Sequence, residues 1–262
     1  MNIPQYKIVL IGAGNVAMQL GLALKEAKHS IVQVYSRQNI AASGLADLLK
    51  CSFTSSLEKI NITADIYIIA VNDDAITAVV KHLKLSNQIV VHTSGSAAMD
   101  ILKPSSKNYG VFYPLQTFSK NNRADFKSIP MCLEANNTAT LEKLQVLASS
   151  ISGNVQEINS EQRKTIHLAA VFACNFSNHL FAVADSILAS DKLSLDILKP
   201  LIDETAKKIK THSPLEMQTG PAIRGDKKTM DKHLKMLSGQ KEYRQLYKLM
   251  SKSISASRKE NK

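Results

Sequence analysis

The sequence predicts an α/β chain in which a doubly wound parallel sheet, residues 1–158, is followed by an all-α domain, residues 159–262. Three observations lead there. Short, uniformly apolar runs recur through the first half, as strands buried on both faces require. Each run is followed by a segment with helical spacing, the alternation that builds parallel sheets. After Asn159 the strand signals stop and helical periodicity carries on alone.

The elements follow in order. Lys7-Ile8-Val9-Leu10-Ile11 is a buried strand that ends in a glycine turn. Val16, Leu20, Leu24 and Ala27 then place a helix over residues 16–28, and a β-branched run over 31–35 closes a β-α-β unit. The pattern repeats as helix 41–50, strand 66–71, helix 75–83 and strand 89–92. Short strands at 110–113 and 131–133, a helix at 139–150 and a last strand at 154–158 complete the first domain. The second begins with a long helix over 161–189, capped by Ser160, and continues with helices at 195–210, 229–237 and 241–257. Arg224-Gly225-Asp226 leads into the third of these, with Asp226 near its N-terminus.

Composition narrows the function. A chain of 262 residues with 44% hydrophobic content buries a sizeable core. The N-terminal segment has no secretory signal and no stretch reaches about 18 uninterrupted apolar residues, so a cytoplasmic protein without a membrane span is expected. Cys51, Cys132 and Cys174 are odd in number and far apart, which fits buried free thiols, with neither a disulfide framework nor a metal site. The net charge of +11 is concentrated at the end: residues 227–262 hold 11 basic and 3 acidic side chains. Without interleaved aromatics or a nucleic-acid motif, this is read as a solvated helix face, and nucleic acid is not expected as a partner.

The glycine turn carries the first chemical signal. Gly12-Ala13-Gly14-Asn15-Val16-Ala17 fits G-x-G-x-x-A, and it stands where that pattern has meaning, between a buried strand and a helix. Gly12 permits the tight turn, Gly14 lets backbone approach a diphosphate, and Ala17 lets the helix pack near the strand; Asn15 and Val16 open a helix whose free N–H groups and dipole favour an anion. The second strand ends in Tyr35-Ser36-Arg37. An NAD site usually has a carboxylate there, whereas Ser36 and Arg37 suit a 2′-phosphate, so the expected cofactor is NADP(H).

Ligands in such sheets lie beyond the carboxyl ends of the strands. Val71 and Asn72 follow one strand, with Asp73 and Asp74 either in the site or capping the next helix. His92-Thr93-Ser94-Gly95 follows another and is placed to line a nicotinamide pocket. Tyr113-Pro114-Leu115-Gln116-Thr117-Phe118 brings together a hydroxyl, an amide and an aromatic ring. On the long helix, Ile166, Leu168, Phe172, Phe176 and Leu180 cover most of the circumference, which predicts burial. At 100° per residue, Lys164, His167, Cys174, Asn175 and Asn178 share one side. Those polar groups either satisfy one another at a helix interface or line a cleft completed by substrate and water.

With His167-Leu168-Ala169-Ala170-Val171-Phe172-Ala173-Cys174-Asn175 and Thr219-Gly220-Pro221 added to these motifs, nearly the whole chain resembles a known family. Its members are Rossmann-like proteins with a C-terminal domain of unknown function, described loosely as NADP or deazaflavin-coenzyme-dependent oxidoreductases. The family is similar in architecture to pyrroline-5-carboxylate reductase and the β-hydroxyacid dehydrogenases. The resemblance implies a helical domain that dimerises beside the active site; Tyr113 stands where many relatives carry histidine. The expected activity is hydride transfer from NADPH to a C=O or C=N carbon of a small metabolite. His167, of a residue type that ordinarily titrates near 6.5, is the candidate general acid, with Lys164 behind it, Asn175 orienting the reacting atom and His92 as an alternative acid. A non-catalytic NADP(H) sensor is the competing reading.

Overall fold

The computed structural model describes residues 4–260, and side chains through Ser257. Two compact units divide the chain, Met1–Cys174 and Asn175–Lys262.

The first unit is built on one eight-stranded sheet: β1 Lys7–Ile11, β2 Ser30–Tyr35, β3 Ser52–Thr54, β4 Ile66–Ile69, β5 Ile89–His92, β6 Asn108–Pro114, β7 Met131–Ala135 and β8 Val155–Glu157. The strand order is β3-β2-β1-β4-β5-β6-β7-β8. Its helices are α1 Asn15–Glu26, α2 Asn39–Leu49, α3 Asp73–His82, α4 Thr138–Ile151 and α5 Ser160–Ala170. Uniformly apolar strands are what a two-faced sheet needs, and alternation within β1 divides the core. Ile8 and Leu10 pack with Leu20, Leu24, Leu45 and Leu144 on one face. Val9 and Ile11 pack with Ile76, Val79 and Val80 on the other. Each such side chain, fully removed from water, contributes roughly 1.5–3 kcal/mol.

Three expectations need correction. The sheet is not wholly parallel, because β7 runs antiparallel to β6. Residues 115–130 between them supply only a 3-10 turn, Phe126–Ser128, and a parallel partner needs a longer crossover, usually with a helix. Strand β3 is three residues long with Phe53 exposed, too short to leave a period-two signal. The cap of α5 is Asn159, one residue earlier than expected: its side chain accepts from Gln162 N–H while the Gln162 side chain accepts from Asn159 N–H. Ser160 is turned instead towards the Glu134 carboxylate.

The long helix also departs from its reading. Between α5 and α6, Ser177–Ser190, the segment Val171–Phe176 is π-helical, so a projection at 100° per residue loses phase across it. Far from being buried, the helix is exposed along most of its length within one chain, with Leu168 at 60% and Ile187 at 38%. Ser160–Ser190 is long and apolar enough by length and composition to cross a membrane. Lys164, Asn175, Asn178, His179 and Asp185 interrupt it, and such residues on a lipid-facing span are costly.

In the second unit, α6 is followed by α7 Lys199–Lys208, α8 Pro221–Arg224, α9 Lys227–Met236 and α10 Lys241–Glu260. Asp226 caps α9 as the sequence suggested, accepting from Thr229 N–H at 3.0 Å. The basic terminal residues form α9 and α10, whose apolar sides help enclose a cavity of about 340 Å³.

Candidate functional site

The glycine turn is held rigidly. Gly12 sits at φ +127°, and a Cβ there would lie 2.2 Å from the Ala70 carbonyl oxygen, so only glycine lets the turn pass between the ends of β2 and β4. Its N–H donates to the Tyr35 carbonyl at 2.8 Å. Gly14 precedes α1 in an extended conformation, and a Cβ there would meet nothing within 4 Å. It opens instead onto a cavity of about 650 Å³ that Ser36, Arg37, Val71 and Asn72 also line. The first turn of α1 contains no acid, which leaves the helix start receptive to an anion. Ala17 is fully buried against the sheet, and Val16 is half-buried beside it.

Three further residues refine the expectation. The Asn15 side chain is committed elsewhere, donating to the Phe118 carbonyl at 2.9 Å, so its backbone is the part left for a ligand. Ser36 Oγ accepts from Gln38 N–H at 3.3 Å and keeps its own proton to donate. Arg37 is exposed and forms no ion pair among the described residues. An open glycine cradle, a helix start and a guanidinium at the end of β2 fit a dinucleotide with a 2′-phosphate.

A second polar cluster lies in the same unit, beyond the ends of β5 and β6. Thr93 N–H extends the ladder to the Ile69 carbonyl at 3.1 Å, and Ser94 Oγ accepts from Ser96 and Ala97 N–H at 3.1 and 2.9 Å. These bonds shape a turn with Gly95 at its centre. The His167 ring covers Gly95 so closely that a Cβ there would fall 2.6 Å from Nδ1. That Nδ1 lies 3.2 Å from the Tyr113 hydroxyl, with the two rings edge to face. Burial, more than the neighbouring Cys132, pushes the Tyr113 phenol up to about 12, so it keeps its proton across the physiological range.

Arg163 underlies this arrangement and escaped the sequence reading. It is wholly buried, pairs with the Glu134 carboxylate, and donates to the Ala97 carbonyl and, at 3.2 Å, to Ser160 Oγ. One helical turn separates Arg163 from His167, so the ion pair that anchors α5 beneath the 94–97 turn also sets the imidazole over Gly95. The i−4 spacing was visible in sequence, but nothing there distinguishes a buried arginine from a solvated one. Lys164, one residue on, points to Glu161 at 2.8 Å on the exposed side and is not drawn into the cluster. Asn175 belongs to the second unit.

His92 is fully buried at the end of β5, and its Nδ1 accepts from Ser94 N–H at 3.2 Å. Burial first, and the Arg163 guanidinium second, bring its pKa down to about 4. It is therefore neutral near pH 7, and its Nδ1 supports the turn. The unfolded chain takes up this proton near 6.5, the folded one only near 4. The His92 contribution is complete above about pH 6.5 and is lost as pH falls towards 4, a change of about 3 kcal/mol. Denaturation midpoints measured from pH 7 to 4 should fall less steeply in His92→Asn than in the wild type; parallel curves would contradict the assignment.

Comparison with known proteins finds two family matches along the chain. Residues 1–116 match the Rossmann-like domain, and residues 129–254 match DUF2520, a domain of unknown function. No curated protein matches the sequence. A crystal structure from Bacteroides fragilis, described provisionally as an NADP oxidoreductase, is 41% identical and superposes with a TM-score of 0.91 over 97% of this chain and 100% of that one. The fold is also similar to 1-pyrroline-5-carboxylate reductase from Streptococcus pyogenes, at 14% identity, TM-score 0.65 and coverage of 96% and 99%. The reductive aminase from Aspergillus terreus, solved with NADPH and ethyl-5-oxohexanoate, stands at 13%, 0.65, and 99% and 100%. The chain thus belongs to the family that joins a Rossmann-like domain to a DUF2520 C-terminal domain, among structural neighbours that are NADP oxidoreductases.

Proposed function

We propose that the protein is a cytoplasmic NADPH-dependent oxidoreductase acting on a C=O or C=N group of a small metabolite. The observation that carries this reading is the pairing of an open glycine cradle with Ser36 and Arg37, where an acid would select NAD. When bound, the cofactor supplies hydride. Amides of Gly14, Asn15 and Val16 hold the diphosphate, Ser36 and Arg37 take the 2′-phosphate, and Val71, Asn72 and Thr93 to Gly95 border the nicotinamide half. The Tyr113 hydrogen bond occupies His167 Nδ1 and leaves Nε2 to pass a proton to the substrate oxygen or nitrogen as the carbon is reduced.

Calorimetry with NADPH and NADH tests the cofactor assignment. Arg37→Asp removes a charge-assisted contact and adds repulsion, so NADPH affinity should fall roughly 10²-fold while NADH changes by less than about threefold. Equal losses, or no heat from either nucleotide with the folded wild type, would defeat the reading. Binding without turnover on any carbonyl or imine would favour a sensor. A second copy of the chain is the proposed cover for the exposed apolar side chains, Leu168 on α5 and Ile187 on α6 among them. Sedimentation velocity should find a homodimer; a monomer at micromolar concentration would exclude it.

A further inference from the structure

The connection after β6 is irregular over residues 115–125, yet it is fastened to α1 by side chains. Asn15 Nδ2 donates to the Phe118 carbonyl at 2.9 Å. Gln19 Nε2 donates to the carbonyls of Ser119 and Asn122 at 2.8 and 2.9 Å, and Gln19 Oε1 accepts from Ala124 N–H at 3.0 Å. Gln19 is 3% exposed, so a buried amide spends both hydrogens and its oxygen on this one loop. Phe118 stacks on Phe126 at 5.6 Å and fixes the far side. An exposed loop without this clamp would be free to move away from the sheet. With it, Lys120, between two of the clamped carbonyls, lines the same cavity as Gly12, Gly14 and Arg37. Lys120 forms no ion pair among the described residues.

We propose that Lys120 is a second cationic ligand of the bound dinucleotide and that it pairs with the diphosphate. The loop is tied to the first two turns of α1, the end whose amides receive that group, whereas Arg37 serves the 2′-phosphate from the end of β2. Lys120 therefore strengthens binding of either nicotinamide nucleotide, and Arg37 discriminates between them. This inference rests on the dinucleotide reading of the cavity.

Calorimetry with NADPH and NADH separates the two. Lys120→Gln should weaken both nucleotides by the same factor, roughly tenfold for loss of a partly solvated charged contact. Lys120→Arg should restore both to within about threefold of wild type. Gln19→Leu, shown by circular dichroism to remain folded, should weaken both comparably although no charge changes, because the loop is released. Unchanged affinity in Lys120→Gln, with normal wild-type binding, overturns this inference alone. A loss confined to NADPH overturns the diphosphate assignment, since it moves Lys120 to the 2′-phosphate. A wild type that binds neither nucleotide overturns the inference and the underlying reading together.

Discussion

Replacing Arg163 with methionine is expected to destabilise the protein by about 3–5 kcal/mol, a large part of the roughly 5–15 kcal/mol that holds a domain folded. The guanidinium is wholly buried, and its removal leaves the Glu134 carboxylate with Ser160 as its sole partner among the described residues and the Ala97 carbonyl without this donor. The loss should be mostly recovered in the double variant Arg163→Met, Glu134→Leu, because replacing both members of a buried pair removes the uncompensated charge. Urea denaturation of the four proteins in the cycle measures this directly. A cost below about 1 kcal/mol in the single variant would mean that the pair does not anchor α5. His92 supplies a second readout: with Arg163 gone, one of the two causes depressing its pKa disappears, and its titration followed by NMR should move upward.

His167→Ala should lower turnover by about 10²- to 10⁴-fold, the range of a positioned general acid, with NADPH affinity unchanged. Tyr113→Phe should cost less, roughly tenfold, because the phenyl ring still packs against the imidazole while the hydrogen bond that fixes Nδ1 is lost. Both are measured as NADPH oxidation on a carbonyl or imine that the wild type reduces. If His167→Ala retains a rate within about threefold of wild type, proton supply comes from elsewhere. The relation between the two variants separates a donor from its support: a Tyr113→Phe defect as large as that of His167→Ala would make the phenol the donor.

Most of the lining of the glycine-turn cavity was legible in the sequence. The boundaries of β1 and β5 agree with the reading residue for residue, because uniform apolar runs ended by a turn leave little choice. The placement of Gly12 and Arg37 on one cavity was readable because it depends on local backbone and on position at a strand end. What escaped was decided by tertiary contact. Arg163 and Gln19 are polar side chains on helices, which usually face water; only the packed structure shows them buried and spent on the 94–97 turn and the 118–124 loop. The antiparallel turn into β7 depended on a connection that carries no pattern of its own. For the long helix, apolar content pointed to a burial that the single chain does not provide, and the π segment broke the angular projection that grouped Lys164 and His167 with Cys174, Asn175 and Asn178.

The contrast between Gly12 and Arg37 has an evolutionary consequence. One is locked by a carbonyl at 2.2 Å from any added methyl, so mutational drift at the hinge of the cradle is closed off. The other stands on open surface. If Arg37 selects the nucleotide as proposed, descendants of this scaffold can trade one electron carrier for another through one or two rim substitutions while the deep framework stays untouched.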